Sequence, residues 1–162
     1  MSPLRLLKRL FADPALSRRR QFLRSLELFE GLSSTELGEL AQILHARTYK
    51  PGEVVFAEGD VGRALFILES GSVALTRRGA GGAEEPLHTV QPGEFFGEMA
   101  LLESQPRTAT ATAAETSRLH LLYRAKLETL LQSHPRVGVA VMGHLARLLS
   151  ARLRRANAAA PK

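Results

Sequence analysis

The chain contains no cysteine and no tryptophan. Without thiols there is neither a disulfide nor a thiolate metal site, and nothing marks an oxidising compartment, so a cytoplasmic setting is expected. The five histidines (His45, His88, His120, His134, His144) are scattered without ligand spacing, and they read as core or surface residues rather than metal ligands. No apolar run approaches the roughly 20 residues of a membrane-spanning helix. Arg5, Lys8 and Arg9 interrupt the first apolar stretch and no cleavage site follows it, which argues against a signal peptide. The glycine run Gly79-Ala80-Gly81-Gly82 lacks the Gly-Lys-Ser/Thr ending of a P-loop and reads as a hairpin tip. There is no Gly-x-Ser-x-Gly elbow and no nucleophile–base pairing, so catalysis and a cofactor are not expected.

What is present begins with 162 residues, enough for one domain with a real core. The net charge of +6 is unevenly placed. Residues 1–24 hold seven basic groups against one acid, and residues 147–162 hold five against none. The stretch between them is therefore acidic, with a net charge of −5. Basic ends on an acidic body do not make the continuous basic face of a nucleic-acid domain.

Residues 1–24 form a basic amphipathic extension, with Leu4, Leu7 and Phe11 at helical spacing and Arg5, Lys8 and Arg9 opposite. It packs on its own domain or a second copy in the plainest reading; docking on an anionic membrane or a partner protein is the alternative. Asp13-Pro14 restarts the helix, and Arg18-Arg19-Arg20 is expected to be a solvated face. Ser33-Ser34-Thr35-Glu36 has capping-box spacing ahead of the stripe Leu37, Leu40, Ala41 and Leu44. Short strands then follow at 47–50, 53–57, 64–69, 72–77, 86–90, 95–96, 108–113 and 118–123, punctuated by Pro-Gly and Gly-rich turns. Helices at 125–133 and from Pro135 to about Asn157 complete the pattern, with a frayed tail from Ala158. The class is α+β, mainly β: an antiparallel jelly-roll-like barrel with flanking helices. Three segments are expected, at 1–24, 25–134 and 135–162.

The most informative stretch runs from Gly93 to Thr110. Phe95 and Phe96 end a buried strand, Gly97 permits a sharp turn, and Glu98 opens one helical turn carrying Met99, Ala100, Leu101 and Leu102. The first amides of such a turn favour an anion. Arg107 enters the next strand, and its planar fork can grip two phosphate oxygens. A carboxylate repels phosphate but accepts hydrogen bonds from ribose hydroxyls. Glu98 and Arg107 together therefore point to a ligand with sugar hydroxyl and phosphate side by side. A surface ion pair of Arg107 with Glu98 or Glu103 is the simpler competing reading.

Phe96-Gly97-Glu98-Met99-Ala100-Leu101 with Pro106-Arg107-Thr108-Ala109-Thr110 resembles the phosphate-binding cassette of the cyclic nucleotide-binding domain family. The likeness continues upstream through 51–60 and Ser70-Gly71-Ser72-Val73, and it covers about three quarters of the chain. It implies a sensor for a 3′,5′-cyclic nucleotide, cyclic AMP first and cyclic GMP as the alternative. It assigns Arg107 to the phosphate and Glu98 to the ribose 2′-hydroxyl. Phe96, Gly97, Met99, Ala100 and Ala109 shape the cassette, with amides near Ala100 and Ala109 on the phosphate. Thr108 lies beside phosphate and base and does not choose between the two nucleotides.

The resemblance also implies a C-terminal helix that closes over the base, where Leu148 or Arg152 could cover it. The same helix offers a surface for a homodimer. No helix-turn-helix follows that helix, so a stand-alone sensor acting on an effector protein is expected, without a DNA-binding domain. A scaffold that keeps the fold but has lost the nucleotide is the alternative.

Overall fold

The computed structural model describes residues 13–160, which form two compact units. One takes the chain up to Gln42 together with everything from Glu128 onward; the other is Ile43–Leu127. Helix accounts for 43% of the described residues and strand for 29%, so the α+β class holds with the strands gathered in one unit.

The helical unit opens on α1, Pro14–Arg24. Asp13 caps it by accepting from the Ala15 amide at 2.8 Å, and Pro14 sits where its missing N–H costs nothing. A 3-10 turn, Glu27–Phe29, buries Leu28 and Phe29. The capping box then closes in both directions: the Ser33 amide donates to Glu36 Oε2 at 2.8 Å, and the Glu36 amide to Ser33 Oγ at 3.2 Å. It starts α2, Ser34–Ile43, whose Leu37, Leu40 and Ala41 are buried.

The expectation that Arg18, Arg19 and Arg20 are all solvated needs correction. Arg19 is half-buried and its Nη1 donates to the Ala41 carbonyl at 2.8 Å, satisfying an oxygen in the last turn of α2. The rest of the N-terminal amphipathic segment, 1–12, lies outside the described residues.

The chain returns to this unit through α4, Arg124–Ser133, and α5, Pro135–Ala159. Here α3 is the single turn Met99–Leu102. Helix α5 packs on the 3-10 turn and buries Val137, Gly138, Val141 and Leu145. It runs two residues past the expected end, so Arg152, Arg154 and Arg155 lie before its last turn rather than in it.

The β unit contains β1 (His45–Tyr49), β2 (Val54–Phe56), β3 (Ala64–Ser70), β4 (Val73–Arg78), β5 (Glu84–Val90), β6 (Phe95–Phe96), β7 (Thr110–Ala113) and β8 (Ser117–Tyr123). They form two four-stranded antiparallel sheets, ordered β1-β8-β3-β6 and β2-β7-β4-β5, rather than one closed barrel. The pairs are first with last, second with seventh, third with sixth and fourth with fifth. That is one long hairpin rolled up, the jelly-roll solution. Alternate residues face inward, and Phe66, Leu68, Val73, Val90, Phe96, Ala111, Leu119 and Leu121 meet in its core. The strand expected to begin at Thr108 begins at Thr110, which leaves Arg107 on a loop.

Candidate functional site

Two loops that cross from one sheet to the other build the site. The first joins β2 to β3 and the second joins β6 to β7 through α3; a bridge between Val61 and Pro106 ties them together. The backbone of Arg107 is held from both sides by the first loop. Its amide donates to the Asp60 carbonyl at 2.7 Å, and its carbonyl accepts from the Gly59 amide at 2.8 Å. Asp60 is itself fixed, its side chain accepting from the Ala57 amide at 2.9 Å.

The side chain of Arg107 is fixed as firmly. Nη1 donates to the Gly97 carbonyl at 3.0 Å and Nη2 to the Ala64 carbonyl at 2.8 Å. The guanidinium carbon lies 4.1 Å from the centre of the Phe56 ring. Burial pushes the guanidinium below its ordinary value, opposed by the nearby carboxylates of Asp60 and Glu98. The expected alternative, a simple surface ion pair, is not what the residue makes: its two hydrogen bonds go to carbonyl oxygens. A guanidinium has five N–H donors, so three remain for a ligand.

Gly97 makes this approach work. Its φ is +69°, and a Cβ there would lie 2.6 Å from Arg107 Nη1. Gly62 serves the same end differently, since its Cβ would meet Ala100 Cβ at 2.9 Å and Arg107 Cζ at 3.2 Å.

Glu98 is the residue before α3 and is half-buried, close enough to Arg107 to bear on its charge. Phe96 and Ala100 are buried, whereas Met99 is 49% exposed. Thr108 is exposed and Ala109 half-buried beside Arg107. The Ala100 amide donates to the Gly97 carbonyl at 3.3 Å. The expected covering residues lie on α5, Leu148 half-buried and Arg152 exposed.

Phe56, Asp60, Gly62 and Ala64 were not singled out as site residues from the sequence. The signal available was the run Glu58-Gly59-Asp60 followed by Gly62, a turn dense enough to approach another backbone. Among the described residues, no three His, Asp or Glu side chains gather as a metal would require.

A half-buried arginine at a glycine turn with a carboxylate beside it has donors for an anion and an acceptor for a hydroxyl. The family model for the cyclic nucleotide-binding domain matches residues 46–134. The chain belongs to the cyclic nucleotide-binding domain family. It is 39% identical over 130 residues to the cyclic AMP receptor protein of Thermus thermophilus, covering 80% of this chain and 58% of that protein. In structure it resembles the regulatory domain of Toxoplasma gondii protein kinase A solved with cyclic AMP: TM-score 0.71, 26% identity, covering 87% of this chain and 50% of that one. It also resembles the regulatory subunit of a cyclic AMP-independent protein kinase A from Trypanosoma brucei, with TM-score 0.69 and 27% identity over 83% of this chain and 48% of that one. The chain thus spans about half the length of these relatives.

Proposed function

We propose that the chain is a cyclic nucleotide sensor that binds cyclic AMP, with cyclic GMP as the second candidate, and acts without catalysis. The observation that carries this reading is Arg107, a partly desolvated cation held in place by carbonyls and an aromatic face, with donors left over beside Glu98. A phosphate with two exocyclic oxygens matches those donors, and a ribose hydroxyl matches the carboxylate. Phe96, Gly97, Met99, Ala100, Thr108 and Ala109 complete the cradle. Thr108, exposed beside Arg107, offers a hydroxyl to either purine. The Thermus relative's name supports cyclic AMP first.

Binding is read out through α5. In this reading α5 swings toward the bound base and either Leu148 or Arg152 covers it, passing the signal to an effector protein. Val139 (76% exposed) and Leu153 (62%), with Ala146 between them, line an outer apolar stripe suited to a second copy of the helix. Residues 1–24 could add a contact with an anionic membrane; no described helix is long and apolar enough to cross one.

The Trypanosoma neighbour, from a cyclic AMP-independent kinase, favours a second reading in which the fold acts as a scaffold. Calorimetry with each nucleotide decides. Saturable binding of cyclic AMP or cyclic GMP at micromolar or tighter affinity is expected, and heatless titrations with both would leave the scaffold. Recovery of the nucleotide unchanged after long incubation checks the absence of catalysis.

A further inference from the structure

We propose that Phe56 is a positioning residue for nucleotide binding: its ring is the platform that sets the plane of the Arg107 guanidinium before the ligand arrives. The functional half of this proposal rests on the cyclic nucleotide reading above. The argument is geometric. The carbonyls of Gly97 and Ala64 anchor Nη1 and Nη2, two points of a flat group. Two anchors leave rotation about the line that joins them. A ring face packed against the group restricts that freedom, and the Phe56 ring, with its centre 4.1 Å from the guanidinium carbon, supplies it.

The platform is itself held. Phe56 packs on Phe66 with ring centres 5.4 Å apart and on Phe96 at 5.9 Å, and those two rings stack at 5.4 Å. Behind them lies the jelly-roll core, so the ring has little room to tilt. An aromatic face also suits the chemistry better than a carboxylate in direct contact would. It favours the buried cation while consuming none of its N–H donors and none of its charge. Both are left for phosphate. An acid in that position would pair with the guanidinium and compete with the ligand.

The test uses the full chain without nucleotide. Arginine Nε–H resonances are recorded by nitrogen-edited NMR, and Arg107 is identified as the one lost in Arg107→Lys. A proton over an aromatic face is shifted upfield, so the Arg107 resonance should stand apart from those of the exposed arginines. In Phe56→Leu most of that shift should be lost, leaving the smaller contribution of the Phe66 ring, whose centre lies 5.5 Å from the guanidinium carbon. The dissociation constant for cyclic AMP should rise about 2- to 12-fold, the cost of immobilising one long side chain on binding. Phe56→Tyr keeps the ring and should restore both.

An Arg107 resonance indistinguishable from exposed arginines in wild type would overturn the proposal, and that measurement needs no variant to fold. So would a folded Phe56→Leu with unchanged resonance or affinity. A wild type that shows the shift but binds neither cyclic nucleotide overturns the ligand reading and leaves the platform standing.

Discussion

Replacing Gly97 by alanine probes the site through the narrowest gap in it. Two costs add. The first is conformational: φ of +69° lies in the left-handed region, which costs an L-residue roughly 1–2 kcal/mol. The second is steric. The new methyl would lie 2.6 Å from Arg107 Nη1, where ordinary contact begins at 3.4 Å, so the guanidinium must retreat by about 0.8 Å. Gly52 separates the two. Its φ is +82°, but a Cβ there meets nothing within 4 Å. Gly52→Ala should therefore lose only the strain, and at roughly 2–4 °C per kcal/mol for a chain of this size its midpoint should fall by about 2–8 °C. Gly97→Ala should lose a similar amount of stability and, in addition, one charge-assisted hydrogen bond to the ligand. Such a bond contributes about 1.5–3 kcal/mol, which predicts about 10- to 150-fold weaker cyclic AMP binding. Thermal melts and calorimetry on both variants give the comparison. If Gly97→Ala binds like wild type, or if Gly52→Ala weakens binding equally, the Gly97–Arg107 approach does not govern the site.

Arg107→Ala should weaken cyclic nucleotide binding by about 30- to several-thousand-fold while the fold persists, as expected when one side of a buried charge pair is removed; Glu98→Ala should cost less, and equal calorimetric affinities for Arg107→Ala and wild type would exclude the cassette. Spin labels on the β unit and near Arg152 should report a shorter separation at saturating nucleotide, and an unchanged distance distribution would count against α5 as the moving element. Removing α5 outright is a poor test, because Val137, Val141 and Leu145 are buried. Hydrogen bonds from Ser33 hold the Glu36 carboxyl below its ordinary 4.5, so their contribution is present above that value and fades as pH falls through the lowered one. Glu36→Ala, which removes the titrating partner, should cost about 0.3–1 kcal/mol at neutral pH and less in acid, read from urea melts across pH 3–7, with a pH-independent cost as the contrary result. Deleting 1–12 while keeping α1 should leave nucleotide affinity unchanged; anionic liposome binding that is absent in the full chain, or indifferent to salt, would rule out the membrane contact.

Local features of the chain were legible before any coordinates. Ser33 and Glu36 announce a helix start because the capping box is complete within four residues. Turns at Pro51-Gly52 and at the Gly79–Gly82 hairpin tip were likewise visible, because turn chemistry is local. Glu98 and Arg107 stood out because they flank one turn. Phe56 did not, because its role depends on β2 meeting the loop before β7, a pairing that neighbouring residues do not encode. Arg19 was misread for the same reason. In a run of three arginines, nothing local says which one reaches the end of another helix.

The first-with-last pairing of the strands has a consequence for synthesis. As the chain emerges, β1 has no partner until β8, Ser117–Tyr123, has been made, since it pairs with no other strand among the described residues. β2 waits for β7 in the same way, and Asp60 waits for Arg107. The arrangement around Arg107 thus cannot exist on a half-made chain; it is assembled among the last non-local contacts, which are the slow ones. A ligand that binds only the finished cradle draws late intermediates toward the native state by mass action. Cyclic nucleotide in the medium should then raise the yield of the finished fold and slow its loss, without changing the rate at which it forms.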